Sequence, residues 1–193
     1  MRRDERREQI LAAATRAFAR TGYAATSLDA ISDEAAVTPV ILYRHFDSKN
    51  DMYRAVLDRA CARLASTVGS DDFDDDSIPA LVKSAAADPD GFKLLFRHAV
   101  REPEFDDITR ALANASTEVA HRHLTTQIED EDWARWAARV VPTVTIEAVI
   151  AWLDTGQPDP VNAAERIRLA VHGVIAAAQA ERLAPPSRAE PRG

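Results

Sequence analysis

Tyr43, Arg44 and His45 gather a phenol, a guanidinium and an imidazole into one short stretch of chain. Donors of these types, spaced along a short helix, suit phosphates and base edges rather than bond-making chemistry. No nucleophile–base pair or glycine-rich phosphate loop accompanies them, and His, Asp and Glu follow no catalytic pattern. His98, His121 and His123 invite a metal reading. The last two stand two apart on a predicted helix, about 200° around its axis, so they cannot chelate one ion together. No metal and no cofactor is expected. The run Asp71-Asp72-Phe73-Asp74-Asp75-Asp76 reads as a solvated acidic loop, with a cation site as the minor alternative. A single cysteine, Cys61, leaves no internal disulfide and fits a reduced cytoplasm.

The elements that must position these residues are helical. Glycine is scarce, at 6 of 193 residues, and no strand-like alternation breaks the long helical spacings. An all-α chain of about nine helices is predicted. The first spans Arg6 to Arg20, with Ile10, Leu11, Ala14, Ala17 and Phe18 on one stripe and Gly22 beyond its end. Ser27 caps a second helix reaching Ala36. Thr38 caps a third reaching Phe46, with Pro39 at the first position, where a missing N–H costs nothing. Ser48 caps a fourth that ends near Gly69. Further helices are expected at Ile78–Ala87, Gly91–Arg101, Phe105–Ile128, Asp132–Leu153 and Ala163–Leu183, with the breaker Gly156-Gln157-Pro158-Asp159-Pro160 before the last. Residues 184–193 read as a disordered tail.

Two short helices on a tight turn make a helix-turn-helix candidate. Leu28, Ile31, Ala35, Val37, Leu42 and Phe46 would pack inward, leaving Pro39, Val40, Ile41, Tyr43, Arg44 and His45 outward, as a groove reader requires. Periodicity alone does not separate this from a three-helix packing unit without a ligand. Charge is compatible with a reader fused to a non-binding part. The net charge is −7, yet residues 1–60 hold ten basic against nine acidic side chains, and residues 61–193 fourteen against twenty-two.

The residues themselves go further. Thr26-Ser27-Leu28-Asp29-Ala30-Ile31-Ser32, then Ala35 through Lys49 with its Leu42-Tyr43-Arg44-His45-Phe46-Asp47-Ser48-Lys49 run, resemble the tetracycline-repressor (TetR) family, as does the lead-in from Ile10 to Tyr23. The likeness is strong over residues 6–60 and rests on helix count beyond Cys61. It implies an N-terminal three-helix DNA-binding domain (residues 1–60) on a helical effector-binding and dimerisation domain (61–183). By position, Ser27 and Thr38 would cap their helices and touch phosphate. Pro39, Val40 and Ile41 would meet base edges, Tyr43 and His45 the backbone, and Lys49 a phosphate. Three departures stand out. Ala36 occupies a turn position usually held by glycine, where φ > 0 costs alanine about 1 kcal/mol. Val40 and Ile41 are apolar and suit thymine methyls, leaving polar readout to Arg44, for which a phosphate or solvent contact is an equal reading. Asp29 is acidic where a basic residue is common. An arm of Arg2, Arg3, Arg6 and Arg7 would either reach the DNA or fray.

In the second domain the resemblance implies a small-molecule pocket. Candidate liners are Leu64, Phe92, Leu95, Phe96, Ala99 and Leu112, with Trp133 or Trp136. It also implies a two-fold interface on the last two helices: Val141, Val144, Ala148 and Trp152 on one, Ile167, Val171, Val174 and Ile175 on the other. Pro142 would kink the first of these two. The expected partners are a double-stranded DNA operator, a small-molecule effector of unspecified chemistry and a second copy of the chain. No membrane partner is expected, since no apolar run reaches spanning length. The implied activity is ligand-responsive transcriptional regulation, most readily repression. An activator, an effector-independent regulator, a dimeric scaffold that has lost DNA binding, and an enzyme using the pocket are the alternatives.

Overall fold

The computed structural model describes residues 2–68 and 77–180. The acidic run at 71–76, the last residues of the predicted ninth helix and the tail 184–193 lie outside the described residues. Among those described there are nine α-helices and no strand: α1 Arg3–Ala25, α2 Leu28–Glu34, α3 Pro39–Tyr43, α4 Lys49–Val68, α5 Ser77–Ala87, α6 Pro89–Lys93, α7 Asp106–Leu124, α8 Glu131–Asp154 and α9 Ala163–Gln179.

The N-terminal helix is longer than its apolar stripe suggests. It begins at Arg3, where the Glu5 carboxylate accepts from both the backbone amide and the guanidinium of Arg2. The basic arm is therefore a helical turn, not a frayed strand. Gly22 breaks the helical dihedrals at φ 79°, where a helix-ending glycine belongs, and one further turn follows it. The second and third helices are shorter than expected, because the turn between them takes Ala36 into the left-handed region at φ 51°. After α6 the chain widens into a π-helical turn, Leu94–His98, then tightens through 3₁₀ turns at Ala99–Arg101 and Pro103–Phe105. Pro142 lies within α8, which runs through it to Asp154.

Two hydrophobic cores result. The first joins α1 to α4 and draws in Leu94, Leu95, Ala99 and Phe105. The second joins α5, α7, α8 and α9 with Phe92. The boundary drawn at residues 60 and 61 thus falls inside α4, a helix both halves share. Leu64 and Phe96 pack against both cores. An aromatic cluster of Phe18, Tyr23, Tyr53 and Phe105, with ring centroids 4.5–5.1 Å apart for four of its pairs, fastens α1 and α4 to the 3₁₀ turn before α7. Contacts of this kind add about 0.5–1.5 kcal/mol per pair beyond burial.

By length and mean hydropathy (1.3) α8 is apolar enough to cross a membrane, with 44% of that window buried inside the chain. It packs between α7 and α9. Apolar composition over this length is equally that of a core helix with a second face to cover.

Candidate nucleic-acid interface

The helix-turn-helix is built on an interior of small tolerance. Ile10, Ala14 and Phe18 from α1, Ile31 from α2, and Leu42 and Phe46 around α3 are all 3% exposed or less. With that face fixed, α3 presents Pro39, Val40, Tyr43 and Arg44 to solvent. Val40 is 61% exposed and Tyr43 58%, an unusual exposure for apolar side chains on a five-residue helix. Ile41 is half-buried and packs against the first core, so it stands further from a groove than its neighbours.

The caps hold as the sequence suggests, with one exception. The Ser27 hydroxyl accepts from the Ala30 amide at 3.1 Å. The Ser48 hydroxyl accepts from the Asp51 amide at 3.0 Å. Thr38 occupies the cap position in an extended conformation, with Pro39 following it, but its hydroxyl makes no capping bond. Thr38 is exposed, so its hydroxyl faces solvent.

Lys49 departs from its expected role. Its ammonium donates to the carbonyls of Tyr23 at 2.8 Å, Thr26 at 3.1 Å and Ala24 at 3.3 Å. An ammonium has three donors. All three are directed at the end of α1, so a phosphate contact from this side chain would have to break one of them. Arg7 is similarly engaged, donating to the His45 carbonyl at 3.3 Å and lying 4.4 Å over the Phe46 ring. Arg6 bonds Gln9, Arg16 and Arg20 both pair with Glu34, and Arg2 pairs with Glu5. Arg3 and Arg44 are the remaining cations of the first three helices and their turns. His45 is half-buried, and burial together with the nearby charges of Arg3, Arg7 and Arg6 pushes its imidazole below the ordinary histidine range. Asp29 is exposed on α2.

Beside this unit lies a partly open cleft of about 250 Å³. Leu64, Phe92, Leu95 and Phe96 line it, as expected, joined by Arg63 and Asp88, which pair at 3.0 Å. Ala99 is buried in the first core and Leu112 packs on its edge, away from the cleft. Trp133 and Trp136 do not line this cleft. They stack edge to face on the surface at the start of α8, 47% and 39% exposed.

On α8 and α9, Val141, Trp152, Ile167 and Val171 are at most 8% exposed within the single chain. These four support the helices from inside the chain. Val144, Ala148, Val174 and Ile175 are half-buried at the margin. The outward face of α9 is instead Leu169, Ala170, Gly173, Ala176 and Ala177, which recur at helical spacing.

A family model described as bacterial regulatory proteins, tetR family, matches residues 10–56. The transcriptional activator FasR of Mycolicibacterium smegmatis is 30% identical over 166 residues, covering 81% of this chain and 76% of that one. The transcriptional repressor SCO4008 of Streptomyces coelicolor is 33% identical over 89 residues, 46% of each chain. Among solved structures, a TetR-like regulator from Rhodococcus sp. RHA1 superposes with a TM-score of 0.78 at 17% identity, covering 91% of this chain and 98% of that one.

Proposed function

The chain belongs to the tetR family of bacterial regulatory proteins, DNA-binding transcriptional regulators rather than enzymes, and from that premise we propose that it is a cytoplasmic homodimer that represses nearby genes until a small molecule releases it. The observation that carries this reading is the exposure of Val40 and Tyr43 on a helix whose other face is sealed. An apolar side chain at the tip of a short helix gains by covering a thymine methyl, and Tyr43 beside it reaches a phosphate. Arg44 supplies charge, and Ser27, Thr38, Pro39 and His45 complete the contact surface.

Two copies would pair through the outward faces of α8 and α9. The stripe from Leu169 to Ala177 lets helices approach closely, and the apolar α8 has a second side to cover. A two-fold axis would present two recognition helices to successive major grooves of a near-palindromic operator.

The cleft offers the route for a signal. Leu64 lies in the last turns of α4, and Lys49 begins the same helix. A ligand that widens the space between Leu64 and Phe96 displaces α4, and with it the unit that Lys49 ties to its other end. A preference of a few kcal/mol for the displaced state is enough to empty the operator. An activator is the second reading, because FasR bears that name. Operator position relative to the promoter separates the two. The test is selection of duplexes from a random-sequence library by the purified protein, followed by a gel shift at low salt. Enrichment of an inverted repeat supports the reading, and no enrichment over the input library overturns it.

A further inference from the structure

The three helices of the DNA-reading unit lack a cation of their own at the C-terminal end, as most helices of the described residues do. None of α1, α2 and α3 carries a basic residue in its last turn. The final carbonyls of a helix have no intrahelical partner, and a nearby cation or donor normally meets them. Here a side chain from another helix donates to carbonyls at the end of α1, to the cap carbonyl of α2 and to a carbonyl just past α3. Lys49 of α4 closes α1. Gln9 of α1 donates from Nε2 to the carbonyl of Ala35, the last residue before the turn, at 2.8 Å. Arg7, one half-turn earlier on α1, donates to the carbonyl of His45 just past α3.

These bonds fall where the angle of the recognition helix is decided. Ala35 precedes Ala36, whose left-handed backbone makes the turn from α2 toward α3. His45 ends the segment that α3 begins. The Gln9 amide is itself fixed, because Arg6 donates to its Oε1 at 3.0 Å. Arg7 is fixed by the Phe46 ring, over which its guanidinium lies at 4.4 Å. The N-terminal half of α1 thus grips both ends of the segment that carries α3.

Resting on the DNA-reading function proposed above, we infer that Arg7 and Gln9 are positioning residues for operator recognition: they hold α3 at its reading angle from behind and do not themselves contact the duplex. A charged side chain beside a DNA-binding helix is ordinarily taken for a phosphate contact, and the two roles differ in what they respond to. A phosphate contact acts on every duplex and on the salt dependence. A positioning contact acts on the sequence-specific part alone.

The test uses the full chain, the duplex that wild-type protein enriches from a random library, and a scrambled duplex of equal length. Affinities are titrated against potassium chloride for Arg7→Ala, Arg7→Lys and Gln9→Met. Arg7→Ala and Gln9→Met are expected to lose about tenfold on the enriched duplex. Affinity for the scrambled duplex and the salt slope should stay at wild-type values. Arg7→Lys, which keeps a donor for His45, should recover part of the loss. Equal losses on both duplexes, with a slope shallower by about 0.9, would make Arg7 a phosphate contact and overturn the inference. Unchanged affinity of Gln9→Met would overturn it too, and that variant, checked for helicity, stands if Arg7→Ala fails to fold. Failure of the function itself looks different, since wild-type protein then enriches no duplex.

Discussion

The ammonium of Lys49 lies 2.8 Å from the Tyr23 carbonyl oxygen and 4.6 Å from the centre of the Tyr23 ring. The first residue of α4 thereby terminates α1. Lys49→Met should leave three carbonyls without this donor and lower stability by about 2 kcal/mol. Denaturant unfolding measures it. The salt slope of DNA binding should not change with it, whereas a phosphate-binding lysine would make that slope shallower by about 0.9.

Alanine at position 36 is strained at φ 51°. Ala36→Gly should raise stability by about 0.5 kcal/mol, the relief of left-handed strain less the extra entropy of an unfolded glycine. Ala36→Val, adding a branched side chain to the same dihedrals, should lower it. A melting comparison of the three proteins reads both signs.

That strain was legible before any coordinates, since alanine stands where a tight turn favours glycine. So were the Ser27 cap, Pro39 at the head of α3, and Leu42 and Phe46 as its inner pair, because each depends on neighbours a few positions away. The clamps were not. Arg7 and His45 are 38 positions apart, Gln9 and Ala35 26, and no local pattern marks a side chain that will meet a distant carbonyl. Residue type alone does not fix burial: Trp133 and Trp136 lie exposed at the start of α8, while Val141, Trp152, Ile167 and Val171 fill the chain's own core and alanines face outward on α9.

The imidazole of His45 is held below the usual histidine range by burial and by Arg3, Arg7 and Arg6. Its folded value lies beneath its unfolded one, so its contribution to stability is full above the unfolded value, near about 6.5, and is lost as pH falls through the folded value. His45→Gln should flatten that part of the stability profile. A phosphate beside His45 acts oppositely and favours the charged ring, so operator affinity should rise over the same acidic window. Parallel loss of stability and affinity would remove His45 from the contact surface.

Gly173 faces outward on α9, and a Cβ built there meets nothing within 4 Å of its own chain. Gly173→Glu is therefore harmless to one protomer and gains about 0.5–1 kcal/mol of helix propensity. In a two-fold pair it places like charges face to face. Sedimentation should show a dimer for wild type and a monomer for the variant, with helicity retained. A variant that stays dimeric would move the interface off this face.

The account depends above all on whether the outer side of α3 reads duplex DNA. The most direct measurement is duplex selection repeated with Val40→Ser and Arg44→Ala beside wild type. Wild type should enrich an inverted repeat, Val40→Ser should relax the preference at one position in each half-site, and Arg44→Ala should weaken binding with either a shallower salt slope or a lost base preference. Identical enriched sequences and equal affinities from all three proteins would contradict it.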